Sequence, residues 1–295
     1  MKVKRGIILA GGTATRLKPI TSLISKHLLP IYNKPMIYYP LSTLMLGGIR
    51  EYLIITNPSH LKLYQGLLGY GDNLGINIRY KVQKKPEGLP QAFIIGEKFI
   101  NNEPVCLNLG DHIFFGKDVN RLLKKNINDF KKTTIFAYRY KKPNEYGVIN
   151  LNKKNKPISI LEKPIKPKSN LIVCGLYIYD KNVVELSKNL KFSKRGELEI
   201  SDLNNLYLKN NTLNVEIIDK KNHWIDAGSP EKIFEASKLI KSIEKRKKSY
   251  IGFPEIAALK KRYITINDFT KLIRNYKGNH YGRILNTFLS KNFIN

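Results

Sequence analysis

The stretch Leu9-Ala10-Gly11-Gly12-Thr13-Ala14-Thr15-Arg16-Leu17 decides the fold. It continues a short apolar run, residues 5–10, that is typical of a buried strand. Two glycines directly after a strand let the backbone bend and bring its N–H groups close to a phosphate chain. No Gly-Lys-Ser/Thr ending and no GxGxxG pattern follows, so neither a P-loop nor a dinucleotide fingerprint is predicted. Taken alone, the Gly-Gly pair favours a structural turn.

Strand and helix patterns alternate through the first half of the chain. The predicted strands are 5–10, 52–56, 76–82 and 104–109, and the predicted helices are 36–46, 61–68 and 91–99. This alternation predicts a mostly parallel sheet covered by helices on both faces, with ligands bound beyond the carboxyl ends of the strands.

The second half is richer in strands. Strands are predicted at 133–138, 146–151, 158–161, 171–179 and 213–218, and helices at 181–190, 199–209, 231–248 and 266–273. Because no linker interrupts the chain, we expect one continuous α/β body, with a core at 1–240 and a helical C-terminal segment at 241–295 that packs on the core or at a subunit interface.

Charge is the most unusual feature of the composition. The 295 residues carry 52 Lys+Arg against 23 Asp+Glu, a formal net charge of +29, and 41 of the cations are Lys against 11 Arg. Since nucleic-acid readout favours clustered Arg and aromatic residues, this dispersed Lys favours a solvated surface over a specific nucleic-acid partner.

The cysteines and the apolar runs indicate the compartment. Cys106 and Cys174 lie in apolar runs and are predicted to be reduced core residues. No run approaches a membrane span, so a cytoplasmic protein is expected.

Two aspartates are candidates for a metal site. Asp111 follows the apolar strand 104–109, and Asp226 follows a short apolar segment. Carboxylates delivered from separate strand ends suit Mg²⁺, although a single aspartate after a strand is more often a cap or turn former. Lys26 is close enough in sequence to reach the same strand end as Arg16, and two such cations would suit a triphosphate.

A series of motifs extends along nearly the whole chain in order. LAGG and TRL are followed by SK, LLP and KPMI, and then by YKVQ, GDHIF, EYGVI, LEKP, RGELEISD and HWIDAG. Together they resemble the sugar nucleotidyltransferases, and among these the glucose-1-phosphate thymidylyltransferase family. The resemblance implies a Rossmann-like three-layer α/β/α fold with a mixed, mostly parallel sheet. It also implies deoxythymidylyl transfer from dTTP to glucose 1-phosphate with Mg²⁺, in a homotetramer of the dTDP-rhamnose pathway.

The resemblance also implies roles for individual residues. Arg16, Lys26 and Lys163 would be catalytic cations, and Asp111 and Asp226 would bind the metal. Nucleotide binding is expected at Leu9, Gly11, Gly12, Thr13, Thr15, Arg16, Gln83, Gly88, Leu89 and Asp111. Binding of the substrate glucose 1-phosphate is expected at Lys26, His112, Tyr146, Gly147, Glu162, Lys163, Val173 and Glu197. Without the resemblance, Glu162 and Lys163 would be interpreted as an exposed, solvated pair.

The chain departs from the family pattern at four positions. Ala14 replaces a signature glycine, His112 replaces the usual asparagine, Pro90 replaces an alanine, and Ala227 stands where threonine is usual. None removes a charged catalytic group, so activity is expected to survive. The alternatives are a uridylyltransferase on the same fold and a catalytically degraded nucleotide-binding homologue.

Overall fold

The computed structural model describes residues 1–154, 156–247 and 249–293, with no side-chain description for residue 247. Its strands are β1 Arg5–Ala10, β2 Pro30–Ile31, β3 Lys34–Pro35, β4 Glu51–Thr56, β5 Asn77–Val82, β6 Val105–Leu109, β7 His112–Phe115, β8 Thr133–Arg139, β9 Gly147–Leu151, β10 Pro157–Glu162, β11 Leu171–Tyr179, β12 Leu213–Ile217 and β13 His223–Asp226. Its α-helices are α1 Tyr38–Gly47, α2 Leu61–Leu68, α3 Gln91–Ile95, α4 Glu97–Ile100, α5 Lys117–Asn128, α6 Val183–Lys188, α7 Ile200–Lys209, α8 Pro230–Lys247, α9 Pro254–Lys260, α10 Ile266–Arg274 and α11 His280–Phe293.

The main sheet is mixed, as predicted. Its strand order is β10-β9-β11-β6-β1-β4-β5, and β8 pairs with both β11 and β12. The strands of the first half, β1, β4, β5 and β6, are parallel, whereas β11 is antiparallel to β6 and joins the second half to the first. The carboxyl ends of β1, β5 and β6 therefore lie along one edge of the sheet.

Alternate residues of β1 pack against opposite helical layers. Ile8 and Ala10 belong to a cluster with α1, α2, α5, α9, α10 and α11, whereas Ile7 and Leu9 belong to a cluster with α3, α4, α6 and α7. Because successive side chains of a strand point to opposite faces, this division confirms the three-layer architecture.

One predicted helix needs correction, and several elements of the structure, among them α5, β7 and β13, were not predicted. The predicted helix 91–99 is divided into α3 and α4 at Gly96, since glycine weakens a helix interior. Helix α5 was not predicted, although Val119, Leu123 and Ile127 are buried at the four-residue spacing of one helix face. The predicted helix 231–248 corresponds to α8, and its last residue lies outside the described part of the chain.

The C-terminal helices pack on the body of the protein. Residues Ile256 of α9, Phe269 of α10 and Phe288 of α11 share one buried cluster with Leu41 and Leu44 of α1. The proposed boundary at 240 falls inside α8, and the division into two units stays a prediction. Both cysteines are buried and unpaired, as expected.

A separate two-stranded sheet lies beside the main one. Strand β7 starts at His112, directly after Asp111, and pairs antiparallel with β13 so that His112 is opposite Asp226. Its apolar residues Ile113 and Phe115 pack against Ala236 and Ile240 of α8. This pairing brings the GDH and WID segments together.

Among the described residues, no helix is both long and apolar enough to cross a lipid bilayer.

Candidate active site

A cleft of about 320 Å³ opens at the carboxyl ends of the parallel strands. It brings together most of the residues that the sequence assigned to binding or catalysis. The predicted site residues that line it are Leu9, Gly12, Arg16, Lys26, Gln83, Gly88, Leu89, Asp111, His112, Tyr146, Gly147, Glu162, Lys163, Val173, Glu197 and Asp226.

Three predicted nucleotide-binding residues are not among the lining residues. Gly11 is buried beneath the loop, whereas Thr13 and Thr15 are exposed on it. A Cβ atom at Gly11 would lie 2.3 Å from Oε1 of Gln83, so this position has no room for a side chain. The Gly-Gly turn is thus structurally required at Gly11, as the residues alone had suggested. Arg16, in the turn Thr15–Leu17, extends from the same loop.

Ala14 adopts a left-handed backbone conformation, which costs more free energy for alanine than for the glycine that is usual at this position. Its φ is 49° and its ψ is 41°, a region that disfavours residues with a Cβ. The Ala14 carbonyl accepts hydrogen bonds from the Leu17 N–H and the Thr21 hydroxyl. The turn that presents Arg16 therefore keeps this geometry despite the alanine.

Gln83 occupies a buried position at the end of β5. It is 2% exposed, and its Nε2 atom donates to Oε1 of Gln91, whose own amide donates to Glu87. An amide group has two N–H donors and a carbonyl oxygen, so the contact with Gln91 uses only one of the two N–H donors of Gln83. Gln91 and Glu87 were not predicted as part of this site. The YKVQ motif indicates Gln83, whereas its partners depend on the loop that follows.

Asp111, His112 and Asp226 form one cluster. Each can offer one ligand atom, and these atoms lie within 4.8 Å of one another. The β7–β13 pairing produces this arrangement, because it places the first residue of β7 opposite the last residue of β13. The predicted convergence of the two carboxylates from separate strand ends is therefore present in the fold.

Asp111 is paired with Lys26. Oδ2 of Asp111 accepts a hydrogen bond from the Lys26 ammonium, and both side chains are largely buried. Burial alone would raise the pKa of Asp111, but the Lys26 charge and hydrogen bond hold that pKa well below its usual range. The carboxylate is consequently charged at any physiological pH.

Asp226 is held by two residues from different elements. Oδ2 of Asp226 accepts a hydrogen bond of 2.8 Å from the Tyr146 hydroxyl and one of 3.1 Å from the Lys232 ammonium. Lys232 also donates to the Tyr146 oxygen at 2.9 Å and lies 3.2 Å from Glu145. The sequence does not predict Lys232 as a site residue. In a chain with 41 lysines, nothing in its neighbourhood distinguishes it from the others.

Another carboxylate, that of Glu162, also lines the cleft. Glu162 accepts a hydrogen bond of 2.6 Å from the Ser201 hydroxyl, and Arg195 lies 3.8 Å from its other oxygen. Burial, with a smaller contribution from Glu199, raises the pKa of Glu162. The predicted Glu197 is more exposed and pairs with Arg195 at 3.4 Å. The polar groups suit the hydroxyls of a sugar.

Glu162 and its neighbour Lys163 have different environments. Glu162 is half-buried, so the solvated pair that the residues alone favoured is wrong for this side chain, whereas Lys163 is exposed. Lys163 has a φ of 41°, and its N–H donates to the Tyr146 carbonyl at 3.0 Å. Such strained backbone is often found where a functional side chain is presented.

The donor set of the cluster is compatible with a divalent cation. The hydrogen bonds from Lys26, Tyr146 and Lys232 to the two carboxylates fall on Oδ2, and Oδ1 of Asp226 lies 4.0 Å from Nε2 of His112. Ligands on opposite sides of Mg²⁺ are about 4.2 Å apart, twice its usual bond length. A span of up to 4.8 Å thus needs only small side-chain movements. Oxygen donors flanked by water are the ligands that Mg²⁺ prefers.

The fold and this site match one class of enzyme. Residues 5–243 match the family described as nucleotidyl transferase. Because the match covers most of the chain, the protein belongs to the nucleotidyl transferase family.

Full-length relatives are more specific. The chain is 46% identical over 287 residues to glucose-1-phosphate thymidylyltransferase of Neisseria meningitidis serogroup A. The alignment covers 97% of this chain and all of that protein. It is 42% identical over 288 residues to the Mycobacterium tuberculosis enzyme of the same name, covering 98% of this chain and all of that one. These relatives confirm the resemblance carried by the sequence motifs.

Solved structures agree with the fold. A Bacillus anthracis protein assigned as a glucose-1-phosphate thymidylyltransferase, in complex with sucrose, superposes with a TM-score of 0.75 at 38% identity, covering 82% of this chain and 96% of that one. A UDP-glucose pyrophosphorylase in complex with UDP-glucose gives 0.71 at 25% identity, covering 81% and 99%. The Rossmann-like α/β prediction is confirmed.

Proposed function

We propose that the protein transfers a deoxythymidylyl group from dTTP to glucose 1-phosphate and releases pyrophosphate. The observation that carries the proposal is a single cleft lined by the cations Arg16, Lys26 and Lys163 and by the carboxylates Asp111 and Asp226. Two phosphorylated substrates repel each other, and fixed cations lower the cost of bringing them together. The names of the full-length relatives support the choice of substrates.

The reaction is an in-line displacement. A phosphate oxygen of glucose 1-phosphate forms a bond to the α-phosphorus of dTTP, while the bond from that phosphorus to the bridging oxygen breaks. The pyrophosphate takes the electron pair. No protein nucleophile is needed, so positioning and charge neutralisation carry the catalysis.

Each cation has a place in this scheme. Arg16, on the exposed turn after Gly12, stabilises the β- and γ-phosphates as they leave. Lys26 bridges the α-phosphate and the sugar phosphate, exchanging part of its pairing with Asp111 for the substrate. Lys163 holds the sugar 1-phosphate. Leu9, Gly88 and Leu89 form the wall beside Gln83, whose amide reads the pyrimidine edge.

The sugar occupies the end of the cleft near β9 and β10. Glu162, which Ser201 orients, accepts hydrogen bonds from sugar hydroxyls. Gly147 keeps this place open, because a Cβ there would lie 2.8 Å from the Ser201 oxygen. Val173 and Glu197 line the same region.

Asp111 and Asp226 would hold a Mg²⁺ ion, which supplies charge neutralisation at the α-phosphate. The protein residues prepare for this charge. Lys26 keeps Asp111 ionised, and Tyr146 and Lys232 fix the orientation of Asp226.

The test is a coupled assay of pyrophosphate release over a grid of dTTP, UTP and ATP with glucose 1-phosphate and other sugar 1-phosphates. We expect the highest kcat/KM for dTTP with glucose 1-phosphate. Asp111→Asn and Asp226→Asn should each lower kcat by about 100-fold. No release from any pair would overturn the enzymatic proposal and favour a degraded nucleotide-binding homologue.

A uridylyltransferase is the second candidate, favoured by the structural similarity to UDP-glucose pyrophosphorylase. The bases differ by one methyl group, which a pocket distinguishes by only about 1–3 kcal/mol. A higher kcat/KM for UTP than for dTTP would select it.

We further propose that the protein acts as a cytoplasmic homotetramer at the start of dTDP-rhamnose synthesis. The thymidylyltransferase assignment supports this place, because dTDP-glucose is the activated sugar that later steps would modify. Light scattering coupled to size-exclusion chromatography would test the assembly, and a mass of one or two chains would contradict it.

A further inference from the structure

His112 is the one member of the metal cluster that is not a carboxylate. It is 6% exposed, and its Nε2 atom lies 4.0 Å from Oδ1 of Asp226. The ring also lines the cleft. A buried imidazole facing two carboxylates needs an explanation beyond packing.

The hydrogen bonds of the other ring nitrogen determine the tautomer. Nδ1 lies 2.8 Å from the Cys174 carbonyl oxygen, which can only accept, so Nδ1 carries the proton. The indole N–H of Trp224 lies 3.3 Å from Nδ1 and 2.9 Å from the same carbonyl oxygen, and the shorter contact shows that the indole donates to the carbonyl. In the neutral ring, Nε2 is consequently unprotonated and presents its lone pair to the cluster.

The ring is fixed in this orientation by close packing. Gly175 has a φ of 75°, and a Cβ there would lie 2.2 Å from Nδ1 of His112. The Trp224 ring packs edge-on with its centroid 5.5 Å from that of His112. An imidazole that donates its far N–H to a backbone carbonyl is the usual arrangement of a metal-binding histidine.

We propose that Nε2 of His112 is a third ligand of the divalent cation held by Asp111 and Asp226. The inference rests on the proposed function, because it concerns the same metal site. Replacing an all-oxygen donor set by two oxygens and one imidazole nitrogen increases affinity for transition metals relative to Mg²⁺. The site should therefore bind Co²⁺ more tightly than Mg²⁺, while still accepting Mg²⁺ for the proposed reaction.

Pulsed EPR of bound Mn²⁺ is the direct test. The protein is labelled with ¹⁵N-histidine, purified without a histidine tag and loaded with substoichiometric Mn²⁺. We expect ¹⁵N coupling in the wild type and in the control His280→Gln, whose ring contacts Tyr32 away from the cleft. The coupling should disappear in His112→Asn and in His112→Gln.

Isothermal titration provides the second readout. The Kd for Co²⁺ should rise about tenfold in His112→Asn, whereas the Kd for Mg²⁺ should change less than about threefold. The wild-type spectrum is decisive even if the variants do not fold, because bound Mn²⁺ without ¹⁵N coupling would overturn the assignment.

Pyrophosphate release with Mg²⁺ and dTTP, measured in parallel, separates the two proposals. Release without ¹⁵N coupling overturns the role of His112 and leaves the proposed function intact. Coupling without release from any substrate pair overturns the proposed function and leaves the ligand assignment standing.

Discussion

The ammonium of Lys232 lies 3.1 Å from Oδ2 of Asp226 and donates a second hydrogen bond to the Tyr146 hydroxyl that contacts the same oxygen. The first turn of α8 thus supplies a positive charge beside a carboxylate assigned to the metal. Partial burial lowers the pKa of Lys232, but the hydrogen bond with Tyr146 and the charge of Asp226 raise it overall, so this charge persists at physiological pH.

Lys232→Met should increase the affinity for Mn²⁺ several-fold, because a cation close to the site repels a divalent ion. Isothermal titration would measure the change. Lys241→Met, an exposed position on the same helix, should leave the Kd unchanged. Weaker binding in Lys232→Met would show instead that orientation of Asp226 outweighs the repulsion.

Gly11→Ala should lower the free energy of unfolding by about 1–3 kcal/mol, the usual cost of overpacking. The new Cβ would meet Oε1 of Gln83, and that side chain is buried and bonded to Gln91, so it has little freedom to move. Gly12→Ala is the matched control, since a Cβ there meets no atom within 4 Å. Urea unfolding would compare them, and equal stability of the two variants would contradict the prediction.

Stability should fall as the pH is lowered from 7 to 5. Burial, followed by the charge of Lys26, lowers the pKa of His27 to about 3, from about 6.5 in the unfolded chain. Between these pH values the unfolded chain binds a proton that the native state excludes. The contribution of neutral His27 to the free energy of unfolding is therefore complete above about pH 6.5 and is lost as the pH falls below it. His27 should contribute a loss of about 2 kcal/mol by pH 5.

Urea unfolding at pH 7, 6 and 5 would measure this loss. His27→Gln should flatten the dependence, whatever its own stability. His60→Gln should change the slope much less, because its pKa is also lowered by burial but the residue is more exposed. An identical slope in the wild type and His27→Gln would contradict the assignment.

Ala14→Gly should stabilise the protein by up to about 1 kcal/mol. Relief of the left-handed strain, worth about 1–2 kcal/mol, is partly offset by the greater freedom of glycine in the unfolded chain. Asn101→Gly provides a comparison at the same φ of 49°, where the gain should be smaller because asparagine tolerates this region. Thermal unfolding would rank the two, and a lower Tm for Ala14→Gly would oppose the prediction.

The parts of the site that sequence could predict are those carried by local pattern. The strand before Gly11 and the apolar run before Asp111 placed both residues at strand ends, where parallel strands bring their ligands together. The relation of Asp226 to Asp111 was predicted only as convergence. Its cause, the β7–β13 pairing, depends on a contact between distant segments that no local pattern encodes.

The supporting residues could not be predicted for a related reason. Lys232, Ser201 and Gln91 act by touching a site residue from another element, and each is of an ordinary type for its position. Glu162 shows the same limit, because its sequence neighbours Leu161 and Lys163 are both exposed, while Ser201 of α7 contacts it from another element. Helix α5, by contrast, had a clear four-residue apolar spacing and was open to prediction.

The pairing of β7 with β13 also determines when, during synthesis of the chain, Asp111 and Asp226 can come together. Contacts between segments far apart in sequence slow folding, because the entropy lost on closing the intervening chain comes before the contacts that offset it. A ribosome-bound chain that ends before β13 can contain the Gly-Gly loop and Asp111, but it lacks Asp226 and Lys232. The proposed cation site is therefore completed only after most of the sheet has been synthesised, and an unfinished chain would lack one of the two carboxylates proposed to bind the metal.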